Sequence, residues 1–527
     1  MNETLALVVL ALTASIFAFL IPFASHRTYL LLRSRRARPE AREPWPEDHL
    51  PRVTVQLPMY NERAVAVRAV DAACALDYPT HLLQIQVLDD SDDATSWLLE
   101  ERVARWRGRG IDVRHVRRPT REGFKAGALA YGIERADGEF LLVLDADFVP
   151  EPGLVRDLLP PFRDEGVGMV QAAWGHLNRE RNWLTRAQAY LLDGHFLFEQ
   201  AGRYRAGRFF NFNGTAGIWR RRCLVAAGGW QSDTLTEDLD VSYRAQMAGW
   251  RFVYLDDVVV PAEIPETVAA LEVQQRRWAQ GGVQTGRKIL PRLLRGDFRI
   301  GVKVEAVIHL FGHVAHPLTW ALALLLFPSA VARRALGLEY LLGVDVLLFT
   351  AATVPFVVFY WSAGELRGRP RRGRFREVLR TLALGVGLSA PVSRAVARGL
   401  RGARDPFVRT PKRGTDRRDA YRVSAVAFDT RVKLAMASLM TVYLVAAVAG
   451  GYWGQLPFIV LFLSGYVGLG VPALRERLVG SKGSTGVEGE DDEKRDPERR
   501  ADGRRLRPDA GLLVGARAEV AEECEAA

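Results

Sequence analysis

The chain has 527 residues, 48% of them hydrophobic and 25% charged, and its 72 Lys and Arg against 61 Asp and Glu leave a net charge of +11. Such a length admits two or three domains, and so even a mixture of apolar and charged residues requires the two kinds to be segregated along the chain. Cys74, Cys223 and Cys524 lie too far apart for a disulfide framework or for zinc-ligand spacing, so both are excluded.

Leu5 to Phe23 is nearly all apolar, close to the roughly 20 residues that cross a hydrocarbon core. His26, Arg27, Arg33, Arg35, Arg36 and Arg38 follow it directly. A cleaved signal peptide carries its positive charge ahead of the apolar stretch, so residues 1–36 read as an uncleaved anchor with a cytoplasmic basic flank. Pro39, Pro44, Pro46 and Pro51 mark 37–51 as a linker.

Over residues 52–299 short apolar runs alternate with amphipathic stretches. The runs Val53–Leu57, Ile85–Leu88, Asp112–Val116, Phe140–Leu144 and Val167–Ala172 are candidate strands, with helices near 63–76, 94–107, 123–136 and 151–159. That alternation predicts a mostly parallel sheet covered on both faces, with ligands bound outside the carboxyl ends of the strands.

Polar residues collect at those ends. The first strand runs into Pro58-Met-Tyr-Asn-Glu62, an aromatic ring, an amide and a carboxylate at the sheet edge. The second ends in Asp89-Asp-Ser-Asp-Asp93, where Asp92 and Asp93 suit a helix cap and Asp89 or Asp90 can hydrogen-bond a base or ribose. The fourth stops at Asp145 and Asp147, two carboxylates flanking one small residue. They can share one hard divalent cation, or cap the following helix as solvated acids. Lys125, near a helix N-terminus, can meet a phosphate or stand solvated.

Further on, Phe210-Asn-Phe-Asn-Gly-Thr-Ala-Gly-Ile-Trp219 is a small-residue loop in which Gly214 and Gly217 permit either close approach to a ligand or a tight turn. Thr234-Leu-Thr-Glu-Asp-Leu-Asp240 opens a helix reaching about Ala248, with Thr236 as a cap and Glu237 and Asp238 set against the helix dipole. Gln274, Arg277 and Trp278 share one face of a helix beginning near Pro265. A Trp beside a guanidinium suits sugar stacking and phosphate binding better than a bare surface.

Residues 300–475 return to the membrane. Val302–Phe327, Tyr340–Trp361, Leu434–Trp453 and Pro457–Leu474 are apolar enough to span. Thr381–Ser393, uncharged for only 13 residues between Arg380 and Arg394, reads as an interfacial helix. The Arg-rich loop 398–425 then belongs in the cytoplasm. Five spans follow, with the N-terminus outside and the 52–299 region and C-terminus inside a cell (inner or plasma) membrane. His309, His313 and His316 fall on one face of the 302–327 span, as a metal site or as a polar lining of the bundle. Residues 476–527 are charged, Gly-rich and poor in aromatics, the composition of a disordered tail. The densest basic clusters flank membrane segments, where anionic lipids account for them, which argues against a nucleic-acid partner.

Four motifs in order carry a resemblance: Asp89-Asp90, Asp145-Ala-Asp147, Thr236-Glu-Asp238 and Gln274-x-x-Arg-Trp278. Together they resemble a processive family 2 glycosyltransferase of the cellulose synthase superfamily. Pro58–Glu62, Asn213-Gly-Thr-Ala-Gly217, Glu237–Asp240 and Pro406-Phe-Val-Arg-Thr-Pro-Lys412 are most similar to its cellulose-synthase-like A branch, the mannan and glucomannan synthases. The Arg-rich chain and its short loops suggest a bacterial relative.

The resemblance implies a cytosolic GT-A domain, Rossmann-like with a mostly parallel sheet, embedded in an α-helical transmembrane protein. It implies an inverting enzyme that uses GDP-mannose or UDP-glucose to elongate a β-linked mannan, glucomannan or glucan and pass it across the membrane. Pro58, Tyr60, Glu62, Asp89 or Asp90, and Lys125 would bind the nucleotide sugar. Asp145 and Asp147 would hold its diphosphate through Mg²⁺ or Mn²⁺, with Asp147 the more direct ligand. Asp238, beside Glu237, would be the base. Gln274, Trp278, Asn213 and Gly214 would face the acceptor, Arg277 the pyrophosphate, and Phe407–Lys412 would form a gating segment. Transfer of one sugar to a membrane lipid, as in ceramide or polyprenyl-phosphate glycosyltransferases, is the alternative reaction. A non-catalytic polysaccharide-binding membrane protein is the alternative of another class.

Overall fold

The computed structural model of the chain describes residues 1–35, 42–403, 408–410 and 427–484. It contains two units, Met1–Arg477 and Leu478–Ala527, the second described only as far as residue 484, where it is helical.

Among the described residues, seven strands, β1 (Val53–Met59), β2 (Leu83–Asp89), β3 (Asp112–Val116), β4 (Phe140–Val143), β5 (Val167–His176), β6 (Gly217–Arg220) and β7 (Arg251–Ala262), form one sheet in the order β3-β2-β1-β4-β6-β5-β7. Its pairs are parallel except at β6, which runs antiparallel to both β4 and β5. The helices Ala66–Cys74, Thr95–Arg107, Phe124–Ile133 and Leu154–Leu158 occupy the predicted gaps.

The alternation in Val53-Thr-Val-Gln-Leu57 looks half-exposed, yet every one of these residues is buried. Val53, Val55 and Leu57 join the apolar core on one face. On the other face polar side chains pair across strands: Thr54 Oγ1 donates to Gln84 Oε1 at 2.7 Å and Gln56 Nε2 to Gln86 Oε1 at 3.0 Å, while Gln56 Oε1 is left without a partner among the described residues. A buried polar group costs little once paired in this way. Gly132 lets the covering helix close over this ladder, since a Cβ there would stand 2.5 Å from Gln56 Nε2.

Two strands escaped the sequence reading. β6 spans four residues and emerges straight from a glycine loop. β7 is interrupted at Asp256-Asp257, where its pairing jumps from Ala172↔Leu255 to Ala173↔Val259. The carboxylates sit in the resulting bulge, so the apolar pattern is broken although the strand continues. Partnering by β7 also carries β5 past its predicted end at Ala172 as far as His176.

Among the described residues, five helices are long and apolar enough to cross a membrane: Glu3–Ser34, Gly312–Ala335, Gly343–Leu366, Ala427–Gly450 and Trp453–Val479. The number matches expectation, but Val302–Phe327 is not one span. A helix Ile300–Leu310 ends at Phe311, and the spanning segment begins afterwards. Polar contacts explain the break: Glu305, 3% exposed, pairs with Arg203 and His26, and His309 Nδ1 lies 2.9 Å from the Tyr243 hydroxyl. The contacts to Arg203 and Tyr243 fasten this segment to the Ala201–Arg205 and Glu237–Met247 helices of the α/β region. The three histidines therefore do not share one helix; His313 and His316 stack at 6.1 Å while His309 is held apart by Tyr243.

Thr381–Ser393 likewise divides between the helices Arg371–Gly387 and Ser389–Leu400, broken at Leu388. The last helix runs to Ser484, beyond the expected start of the tail at 476. Residues 36–41 of the basic flank and linker, most of loop 398–425 and the tail from 485 lie outside the described residues.

Candidate active site

The carboxyl ends of β1, β2 and β4 open on a cleft. Pro58 lies near the carboxyl end of β1, Tyr60 and Glu62 follow that strand, Asp90 follows β2, and Asp145 and Asp147 follow β4. Lys125 opens the Phe124–Ile133 helix, and Asn213 and Gly214 lie in the loop before β6. Glu237 and Asp238 begin the Glu237–Met247 helix, and Gln274, Arg277 and Trp278 face inward from the Val268–Arg295 helix. Asp89 is the exception. It is 1% exposed at the end of β2, with its carboxylate on His115 Nε2 at 2.8 Å and on the Ser91 N–H at 2.9 Å. Burial by itself would raise its pKa, but the hydrogen bonds from His115, Ser91 and Ser96 outweigh that and hold it at about 2. Of the Asp89-Asp90 pair, Asp90 is the one on the wall, and Arg118 grips it with both prongs at 2.7 and 2.6 Å.

Backbone geometry around the cleft is unusual. The non-glycine residues with positive φ among those described are Asn61 (54°), Phe124 (50°) and Ala216 (54°). Each lies within three residues of a cleft-lining side chain, and each costs about 1–3 kcal/mol that the surrounding contacts must offset. Such strain recurs where side chains have to be aimed rather than merely packed.

Tertiary hydrogen bonds bring the distant motifs together. The Asp145 N–H donates to Thr215 Oγ1 at 2.8 Å and the Asn213 N–H to Gln171 Oε1 at 3.0 Å, tying the glycine loop to β4 and β5. Lys125 Nζ bridges the Asp145 carboxylate and the Gly214 carbonyl, the latter at 2.9 Å. Gly214 has φ of +83°, and a Cβ there would stand 3.0 Å from Asp238 Oδ2 and 3.6 Å from Lys125 Nζ. Gly281 allows the Val268–Arg295 helix onto the Thr-Glu-Asp turn, since a Cβ there would be 2.5 Å from Thr236 Cγ2. Thr236 caps nothing through its hydroxyl, which instead meets Thr285 Oγ1 at 3.2 Å. Trp278 packs against Ala189, Leu192 and Ile264.

The electrostatics follow from this crowding. Burial and the neighbouring Glu237 push Asp238 up to about 7, against the pull of Lys125, the Leu239 N–H and Arg277. Burial opposes the Lys125 charge, but Asp145, Glu237 and Asp238 more than offset it and raise its pKa. A carboxylate with a pKa near neutrality, set in a cleft, has the property required of a general base.

Asp145 and Asp147 offer hard oxygen ligands, and Asp147 is 1% exposed at the cleft wall. No group of three or more His, Cys, Asp and Glu side chains forms a cage among the described residues. Such a donor set suits Mg²⁺ or Mn²⁺, which take one or two carboxylates and complete their shell with phosphate oxygens and water.

Several cleft residues escaped the sequence reading. Trp174 and His176 alternate along the extended end of β5, and Glu263 follows β7. Arg121, four residues before Lys125, lays its guanidinium 3.3 Å over the Tyr60 ring centroid. Within the Phe407–Lys412 segment, Arg409 and Thr410 line the cleft, and Arg409 Nη1 is 2.9 Å from Glu62 Oε2. Phe407, Pro411 and Lys412 lie outside the described residues.

The sequence profile described as "Glycosyltransferase like family 2" matches residues 51–281. Glucomannan 4-beta-mannosyltransferase 2 of Arabidopsis thaliana is 36% identical over 369 residues, which are 65% of this chain and 69% of that protein. Glucomannan 4-beta-mannosyltransferase 1 of Oryza sativa subsp. japonica is 35% identical over 348 residues, 62% of this chain and 66% of that protein. Among solved structures, the mannosyltransferase PcManGT from Pyrobaculum calidifontis, in complex with GDP-Man and Mn²⁺, is similar in fold with a TM-score of 0.51. At 23% identity it covers 75% of this chain and 99% of its own.

Proposed function

The chain belongs to the cellulose-synthase-like branch of the family 2 glycosyltransferases, and from that premise we propose that it transfers mannose from GDP-mannose to a growing β-linked mannan or glucomannan. The observation that carries this reading is the convergence of Asp145, Asp147, Lys125, Asp238 and the Gln274–Trp278 face on one cleft. The names and identities of the plant relatives supply the sugar.

In this reading Pro58, Tyr60, Glu62 and Asp90 hold the nucleoside, and Lys125 and Arg277 neutralise its diphosphate. Asp145 and Asp147 are the residues that would hold Mg²⁺ or Mn²⁺, which supplies further positive charge to the leaving group. The acceptor's terminal sugar stacks on Trp278, with Gln274, Asn213 and Gly214 around its hydroxyls. The attacking hydroxyl oxygen forms a bond to the anomeric carbon as the bond from that carbon to the diphosphate breaks. Asp238 takes the hydroxyl proton, Arg277 meets the charge building on the departing GDP, and one in-line displacement inverts the anomeric centre.

The charge distribution supports an N-terminus outside and a catalytic domain of residues 52–299 on the cytoplasmic side. The membrane helices of 300–475 would then offer the product a path outward. Purified full-length protein given GDP-mannose, UDP-glucose and other sugar nucleotides in turn, with Mn²⁺ or Mg²⁺, tests the reading. A GDP-mannose-dependent polymer is expected; a single mannose on a lipid, or turnover of another donor alone, overturns it.

A further inference from the structure

Beneath the cleft, His195–Gln200 forms a π-helical turn between two α-helical segments. Such turns are rare interruptions that recur at functional sites. Three of its side chains meet around Asn213, which lines the cleft. His195 Nδ1 is 3.1 Å from Glu199 Oε2, and His195 Nε2 is 3.0 Å from Asn213 Nδ2. Gln200 Nε2 donates to Asn213 Oδ1 and, at 2.8 Å, to the Asn211 carbonyl.

The direction of every hydrogen bond in this chain is determined, because both ends can only accept. At one end the Glu199 carboxylate, paired with Arg27 of the Glu3–Ser34 helix and 3.7 Å from Arg203, is an acceptor. His195 Nδ1 must therefore carry the proton, and Nε2 is left with its lone pair. At the other end the Asn211 carbonyl forces Gln200 to present Nε2, so Asn213 must meet it with Oδ1. Asn213 Nδ2 is then the atom that donates to His195 Nε2, and both ends give the same answer. Burial, reinforced by Arg203 and Arg27, lowers the His195 pKa to about 3, so the ring stays neutral as this arrangement requires. Among the described residues nothing takes the second amide hydrogen of Asn213. The residue after Asn213 is Gly214, whose position lies against Asp238.

We propose that Glu199 and His195 are positioning residues that lock the Asn213 amide as a hydrogen-bond donor to an oxygen of the saccharide acceptor. This rests on the glycosyltransferase reading above and adds a constraint to it. The acceptor must offer a hydroxyl or ring oxygen at Asn213, beside the hydroxyl that Asp238 deprotonates. The lock also ties acceptor recognition to the first membrane helix through the Arg27–Glu199 pair.

The test uses full-length protein in detergent, with GDP-mannose as donor and mannohexaose as acceptor, and UDP-glucose with cellohexaose in parallel. Rates are read as nucleotide release, GDP binding by calorimetry, and acceptor binding by tryptophan fluorescence. Glu199→Gln and Asn213→Ala should each raise the acceptor KM about tenfold and leave GDP affinity within about twofold. In Glu199→Gln, Arg27 holds the one remaining oxygen and turns the amide nitrogen onto His195 Nδ1, which moves the ring proton to Nε2. Both changes therefore remove the same bond, and the double variant should be no worse than Asn213→Ala alone. If Glu199→Gln does not fold once Arg27 loses its partner, His195 provides the second route. His195→Gln keeps an acceptor for Asn213 and should retain most acceptor affinity, whereas His195→Leu should lose it. Additive losses in the double variant, equal acceptor affinity in the two His195 variants, or a parallel loss of GDP binding overturn the proposal. A wild type active with UDP-glucose alone refutes the donor assignment instead, and the same comparisons are then made with cellohexaose.

Discussion

Asp238→Asn is the sharpest perturbation of the site. The change is isosteric and keeps Oδ1 as acceptor for the Leu239 N–H, which donates to it at 2.8 Å, so the turn before the helix is preserved. What it removes is the ability to take a proton. A positioned general base contributes about 10²- to 10⁴-fold, so the transfer rate should fall by that factor, a loss of roughly 3–5 kcal/mol of transition-state stabilisation. The pH dependence makes the prediction specific. With burial and Glu237 raising Asp238 to about 7, the wild-type kcat/KM should fall about tenfold per pH unit below that value, and the variant should lack this limb. Stability gives an independent sign. A carboxyl whose folded pKa lies above its unfolded one stabilises most below the unfolded value, and that contribution is lost as pH rises through the folded pKa. At pH 8 the ionised, buried Asp238 therefore opposes folding, and Asp238→Asn should melt at a higher temperature than wild type. GDP release gives the rate, calorimetry the unchanged donor affinity, and thermal unfolding at pH 5 and pH 8 the stability shift. Transfer within threefold of wild type, or an unaltered acid limb, would refute the assignment.

Asp147→Ala should abolish Mn²⁺-dependent binding of GDP, measured by calorimetry with and without the metal; equal affinity in both would remove Asp147 from the metal site. Gly214→Ala should lower activity without unfolding the protein. It places a side chain at φ of +83° and 3.0 Å from Asp238 Oδ2, for a backbone strain of about 1–2 kcal/mol, and wild-type kcat would contradict the close approach. Lys433, 0% exposed, pairs with Glu272 on the helix that carries Trp278. Lys433→Met should therefore destabilise by about 3–5 kcal/mol, with most of that restored in Lys433→Met/Glu272→Gln. Detergent-phase melting of both variants checks this, and equal melting temperatures would show that the pair is not coupled.

Much of the chemistry was legible locally, because spacing along a strand end or a helix face is a property of a few consecutive residues. Asp145 and Asp147 follow a short apolar run, and Gln274, Arg277 and Trp278 repeat at helical spacing, so residue types and local geometry could be read together. Apolar runs likewise marked the first five strands, and apolar length marked five helices long enough to span a membrane. β6 and β7 were illegible for opposite reasons. One is too short for any periodicity, and the other carries two aspartates at a bulge that only its pairing with β5 explains. The extension of β5 that places Trp174 and His176 in the cleft depends on that same partner.

Long-range contacts decided the rest. Nothing near Asp89 in the chain distinguishes it from Asp90; His115 on the next strand buries one, while Arg118 holds the other at the wall. The 302–327 stretch is apolar enough to span, but Glu305 and His309 meet Arg203 and Tyr243 of the catalytic domain, and those polar contacts stop the helix short. Composition and spacing alone therefore specified which polar groups gather at strand ends and helix faces, and that helices apolar enough to span a membrane flank them. Which of them share a cleft, and which way the Asn213 amide faces, depended on partners many residues distant, since a hydrogen bond or a burial exists only once both sides are in place.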